Sequence, residues 1–204
     1  QPINEAYPKL EIILHEVQTE AMLEKLNKGI LDAGILAVPL ETKGLDEIIL
    51  YTEPFYVAAN YQHRFAAQSS IKIEDLKDET LLLLEEGHCL RGQVMDVCSQ
   101  TMTKERKDFQ GTSLETIRHM VSTGIGITLI PQTAIDYKNL IQNSSIKYIP
   151  FKKPAPARSV GLLFRKTSSR KVCFERIATS IQVIVEKEYS VEEVVEVLSV
   201  KMKR

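Results

Sequence analysis

Residues 10–40, LEIILHEVQTEAMLEKLNKGILDAGILAVPL, limit the fold more than any other stretch of this chain. They read as strand, helix, strand. Residues 10–17 are apolar, β-branched and partly alternating, which is a strand pattern. Thr19 then stands where a helix cap is wanted. Met22, Leu23 and Leu26 share one face of the helix that follows, and Gly29 suits the position just past its end. DAGILAVPL returns as a buried strand. Connections this short predict a right-handed βαβ unit and an α/β fold.

The alternation continues downstream. LDEIILYTEPFYVAANYQHRF reads as further strand, interrupted near Glu53 and Pro54, because proline cannot donate to a ladder. IKIEDLKDETLLLLEE reads as a short helix around Ile73 to Lys77, then a buried strand. In GTSLETIRHMVSTGIGITLIP, residues 111–131, Thr112 and Glu115 have capping-box spacing, and Leu114, Ile117, Met120 and Val121 form a helical stripe. Gly124 and Gly126 end that helix and permit close backbone approach. ITLI is then a buried strand that Pro131 stops. IKYIPF and VGLLFR are further strands. Between them PFKKPAPARS, residues 150–159, is the most linker-like stretch, with three prolines. From SRKVCFERIATSIQVIVEKEYS onward the pattern is helical, with VEEVVEVLSVKMKR as a tail helix. The breaks near residues 53 and 156 bracket about 100 residues, a common domain size. The economical reading is two α/β lobes, one from both ends of the chain and one from its middle. Two strand crossings would join them around a cleft.

A formal net charge of -1 over 204 residues argues against a basic nucleic-acid reader within them. No apolar run reaches the roughly 18 residues of a membrane span. The start, QPINEAYPKL, has no secretory pattern and reads as a cut through a larger protein. Three cysteines are too few for a disulfide framework. Cytoplasmic location is the default, and there a cysteine pair is more often catalytic or redox-sensing than a permanent staple.

Two of the cysteines lie in LEEGHCLRGQVMDVC, residues 84–98. Zinc sites use shorter gaps with matching Cys or His, whereas eight residues separate Cys89 from Cys98 and His15, His63 and His119 are scattered. A Cys–His hydrolase needs a base within reach, but His88 is adjacent in sequence and adjacent side chains point apart. The redox reading has more content. Cys89 follows a strand and would open a helix, where backbone N–H groups and the macrodipole favour a thiolate, and Arg91 adds positive charge. A thiolate attacks peroxide to give a sulfenic acid, with which a second thiol can condense. If residues 89–98 are helical, the two Cα atoms stand about 13 Å apart. A disulfide needs them within about 7 Å. Either the segment is not helical, or bridging unwinds it, at a cost that Gly92 lowers. The plain alternative is that both thiols pack as small hydrophobes, as most free cysteines do. Cys173, beside Phe174 and Ile177 in an amphipathic helix, is read in that plain way.

EEGHCLRGQVMDVC resembles the sensor segment of the OxyR family, the LysR-type transcription regulators that detect hydrogen peroxide. Matches also run through YPKLEIILHEVQTEAMLEKL, GILDAGILAV, YTEPF, TSLETIRHMVSTGIGITLIP and PAPARSVGLLFR. GIGITLIP suits many LysR-type proteins, while GHCLR with a second cysteine nine residues on is far more specific. The resemblance covers nearly the whole chain and is weakest in the tail and around residues 132–146. It implies a two-lobed, periplasmic-binding-protein-like α/β fold. Lobe I would comprise 1–52 with 157–204, its N-terminal strand missing, and lobe II would comprise 53–156 with the redox cysteines.

By the same resemblance Cys89 matches the peroxidatic cysteine and Cys98 the resolving one. Thr19, His88, Gln93 and Arg158 match residues that line or polarise the peroxide pocket. On residue type alone, Thr19 is a helix cap and Arg158 a surface arginine. Arg91 is read as local electrostatics rather than a direct ligand. The resemblance implies no cofactor and no metal, and a stoichiometric sensor rather than an enzyme. The implied partners are hydrogen peroxide, a second copy of the chain (a homodimer, with a tetramer in the full-length protein), and a thiol reductant of glutaredoxin or thioredoxin type for reset. DNA would be bound only through a winged helix-turn-helix domain preceding these residues, and no membrane is involved. Gly92 departs from the family, whose members usually carry an acidic residue there. The family's first strand, part of its first helix and its first pocket threonine would lie before Gln1. Two rivals stand beside this reading: a LysR-type domain binding a small metabolite in the cleft, and a catalytic thiol peroxidase.

Overall fold

A computed structural model of the chain describes residues 2–40, 42–99, 101, 104–135 and 145–189. These residues fall into two units, those within 1–52 and 159–204 and those within 53–158, between which the chain passes twice.

In the first unit, helix α1 (Pro2–Ala6) is followed by helix α2 (Thr19–Asn27) and strand β1 (Ala33–Val38). The 16-residue strand β2 (Leu45–Asn60) begins here and ends in the second unit. Strand β7 (Ala157–Arg165) and helix α5 (Lys171–Tyr189) complete it. β1 lies antiparallel to β7, with Ala33 opposite Phe164 and Val38 opposite Ser159, and the other neighbour of β7 is β2. Alternate residues of a strand face opposite ways, so this sheet serves two small cores. On one face Leu36, Val38, Leu45 and Leu163 pack with Met22 and Leu26 of α2. On the other Leu50, Val160, Leu162 and Phe164 pack with Phe174 and Ala178 of α5, the two phenylalanine rings 4.8 Å apart. Arg165 closes the end of α2, its Nη1 donating to the carbonyls of Leu26 at 2.5 Å and Leu31 at 2.8 Å. The Leu26 carbonyl belongs to the last turn, where carbonyls lack i+4 helical partners, and the Leu31 carbonyl lies just beyond it.

Two expectations fail in this unit. Residues 10–18 form no strand. Ile13 and Leu14 are 71% and 89% exposed. β propensity needs a ladder neighbour to become a strand, and none pairs with this segment among the described residues. The predicted βαβ unit is therefore absent here, and the sheet neighbour of β1 is the antiparallel β7. Thr19 does not cap α2 either. It is the first helical residue, after Gln18, whose side chain makes no cap bond.

In the second unit, β2 exchanges its ladder partners at Phe55, just past Pro54. From there it pairs antiparallel with β5 (Thr128–Pro131), Phe55 opposite Pro131, and with β6 (Ile146–Pro150), Tyr56 opposite Pro150. β3 (Thr80–Leu84) and β4 (Lys104–Gly111) form a parallel pair, with helix α3 (Cys89–Cys98) as the crossover between them. A parallel connection of this kind is a βαβ unit, and it holds both redox candidates. Helix α4 (Leu114–Ser122) buries Ile117 and Val121. Its cap is Ser113, whose hydroxyl accepts from the Thr116 amide at 3.2 Å, so the Thr112–Glu115 capping box does not form. After α4 the chain presses against β3. A Cβ on Gly126 would lie 2.6 Å from the Thr80 carbonyl oxygen, which explains the glycine. The core of this unit joins Leu81 to Leu84, Leu90, Val94, Cys98, Ile117 and Leu129 with Phe55 and Val57. The tail helix read over 191–204 lies outside the described residues, as do residues 136–144.

Candidate redox site

β3 ends at Leu84, and the chain turns through Glu85, Glu86 and Gly87 into α3. Gly87 has φ 91°, a conformation that favours glycine. His88 follows as the extended N-cap residue, half-buried and without a side-chain cap bond. Cys89 is the first residue of α3 and is exposed. Its position gives it the end of the helix where backbone N–H groups lack helical partners and the dipole is positive.

Leu90, Val94 and Cys98 recur every fourth residue, so they share one face, and all three are buried in the core. Cys89 and Gln93 form the neighbouring stripe. Cys98 lies nine residues beyond Cys89, and at about 100° per residue this puts it on the opposite side of the helix. Along the axis the separation is about 13 Å. No disulfide joins the two. One thiol meets solvent while the other sits under the helix.

Two arginines bind α3 to its surroundings. Arg91 donates from Nη1 to the Leu84 carbonyl at 3.0 Å and from Nη2 to Glu105 Oε1 at 2.7 Å, tying the first turn to β3 and β4. Its charge is matched by a carboxylate. Arg158, at the start of β7, donates from Nη1 to Gln93 Oε1 at 3.2 Å and from Nε to Glu53 Oε1 at 2.8 Å. Glu53 is only 3% exposed and Arg158 17%. The other oxygen of Glu53 accepts from the Thr133 amide at 2.7 Å.

The structure therefore brings Cys89, Arg91, Gln93 and Cys98 onto one helix with His88 as its N-cap, and joins Gln93 to Arg158. Thr19 stands in the first unit, at the start of α2. Gly92 is exposed, with nothing within 4 Å of a Cβ built on it. Cys173 is half-exposed in α5 next to the buried Phe174. Sequence reading noted Glu53 only as a break, and overlooked Glu105 and Thr133. Glu53 carried a usable signal. It has the same strand parity as Phe55 and Val57, so a carboxylate was committed to a buried face where only a cation or N–H donors could satisfy it. Glu105 carried none, because nothing in KERKDFQG signals a strand by alternation.

Among the described residues no group of three His, Cys, Asp or Glu side chains could hold a metal ion. Nor is any described helix long and apolar enough to cross a membrane.

Comparison with known proteins places the chain in a family and supports its fold. The family model for the LysR substrate binding domain matches residues 1–182. The DNA-binding transcriptional dual regulator OxyR of Escherichia coli strain K12 is 39% identical over 180 residues, 88% of this chain. The chain spans 58% of that protein's length. The crystal structure of the oxidized form of OxyR superimposes with a TM-score of 0.81 at 38% identity, covering 92% of this chain and 88% of that one. The reduced form gives the same TM-score at 37% identity, covering 92% and 87%.

Proposed function

The chain belongs to the LysR substrate-binding domain family, and on that premise we propose that it is the hydrogen-peroxide-sensing regulatory domain of a transcription factor. The observation that carries this reading is the placement of its two thiols. Cys89 is exposed at the N-terminus of α3, and Cys98 is buried on the opposite side of the same helix.

The chemistry balances as follows. The Cys89 thiolate attacks one oxygen of hydrogen peroxide, the O–O bond breaks, and the departing hydroxide takes a proton to leave as water. The Cys98 sulfur then attacks the sulfenic sulfur of Cys89. The S–S bond forms and a second hydroxide leaves as water. Two thiols lose two hydrogens, and one peroxide becomes two waters. By resemblance Arg158 polarises the departing hydroxide; Glu53 holds its Nε, and its Nη1 links it to Gln93 of α3. His88 supplies a further group to hold peroxide in line, and Thr19 matches a pocket residue by resemblance alone. Arg91 ties the first turn of α3 to β3 and β4 and acts on the structure of the segment rather than on peroxide.

Closing the disulfide takes Cys98 out of the core and unwinds α3. The new surface rearranges a homodimer, part of a tetramer in the full-length protein, and through it DNA-binding domains that lie outside these residues. A glutaredoxin- or thioredoxin-type dithiol in the cytoplasm resets the pair. The domain acts once per oxidation and needs no cofactor.

A brief micromolar peroxide pulse, followed by intact-mass analysis and thiol counting, tests the reading. Loss of two hydrogens with the Cys89–Cys98 pair consumed supports it. An unchanged pair sinks it in favour of a domain that binds a small metabolite. Many turnovers per chain with a dithiol reductant would instead identify a thiol peroxidase.

A further inference from the structure

We propose that Glu53 is a positioning residue of the redox switch: its buried carboxylate aims Arg158 at Gln93, and the three side chains latch α3 in its helical, dithiol form. This rests on the sensor reading above. Glu53 uses both carboxylate oxygens, one for the Arg158 Nε at 2.8 Å and one for the Thr133 amide at 2.7 Å. With Nε engaged, the planar guanidinium turns its Nη1 toward Gln93 Oε1, 3.2 Å away. Gln93 stands one turn past Cys89 and midway to Cys98, within the stretch that must give way for the sulfurs to meet. The Arg158–Gln93 bond therefore belongs to the dithiol form alone. The Glu53–Arg158 pair joins β2 to β7 and does not depend on α3 being helical. Glu53 thus acts on the redox equilibrium only through the aim it gives Arg158.

The measurement is the dithiol–disulfide equilibrium of the 204-residue chain in glutathione buffers. There the chain's two thiols and one oxidised glutathione exchange for its disulfide and two reduced glutathiones. Removing the latch weakens the dithiol form, so Gln93→Met should shift the equilibrium toward the disulfide by about tenfold, a potential about 30 mV more negative for this two-electron couple. Glu53→Gln should shift it in the same direction, and should add nothing in the Gln93→Met background. A merely structural ion pair would lower Tm in Glu53→Gln and leave the equilibrium unmoved. Because Glu53→Gln strands a buried charge, the pair Glu53→Leu with Arg158→Met provides a second route and should reach the Gln93→Met value. Wild-type equilibrium in either Glu53 variant, or effects of Glu53→Gln and Gln93→Met that multiply, overturns the latch. Failure of the wild-type chain to form the Cys89–Cys98 disulfide at all overturns the sensor reading itself, and the latch with it.

Discussion

Cys89 and Cys98 share a helix and differ in access: one is exposed at its first residue, the other 6% exposed in the core at its last. In the proposed sensor reaction, access makes Cys89 the first to react and Cys98 the second. Cys89→Ser is expected to abolish thiol loss under a peroxide pulse. Cys98→Ser should leave a sulfenic acid on Cys89, read by mass as one added oxygen and by capture with a carbon nucleophile. A Cys98→Ser chain that still loses two hydrogens would show the pairing to be wrong. Glycines, too, are decided residue by residue. At Gly126 a methyl group would meet the Thr80 carbonyl oxygen at 2.6 Å, backbone that cannot step aside. Gly126→Ala should cost about 1–3 kcal/mol, as overpacking does, and lower the Tm by several degrees in a thermal melt. A melt unchanged within error would show that β3 yields there.

At the scale of elements, α3 is both the crossover of a parallel strand pair and the segment proposed to unwind. Gly92 sits in it with open space around, so alanine there gains helix propensity without meeting a neighbour. Gly92→Ala should favour the dithiol form by about 1 kcal/mol. This is about a fivefold shift in the glutathione equilibrium, and an unmoved or opposite shift would mean that α3 stays helical in the disulfide form. Elements differed in how legible they were, and the reason is physical. α2, α4 and α5 announce themselves because a helix's apolar stripe is written in its own residues. Residues 10–17 carry an equally good strand pattern and form none, because a strand exists only with a neighbour and the neighbour is not written in the segment. β4 is the converse, a polar sequence made into a strand by pairing with β3. In the candidate site, GHCLR and the second cysteine could be read directly. The partners of Arg158 could not, because Glu53, Gln93 and Thr133 meet only after β2, α3 and the segment after β5 have folded.

For the molecule as a whole, the decisive fact is how its cores are divided. The cluster that holds Leu90, Val94 and Cys98 draws all its residues from 53–158. The two clusters around α2 and α5 draw theirs from the other unit. The anchors described for α3 are Leu84, Glu105 and Arg158, and they too belong to 53–158. Unwinding α3 therefore loosens the contacts of one unit. Deuterium exchange on the chain, kept dilute enough to suppress self-association, is expected to rise on oxidation across residues 89–99 and in the β3–β4 pair that α3 covers. Exchange in β1 and α5 should stay the same. At concentrations where copies associate, any change in the first unit should appear together with a change in sedimentation, because only contact with a second copy could carry the response there. Equal exchange in both redox states over residues 89–99 would remove the unwinding step. A change in β1 or α5 of the dilute chain would show that the signal crosses along β2 and β7 within a single copy.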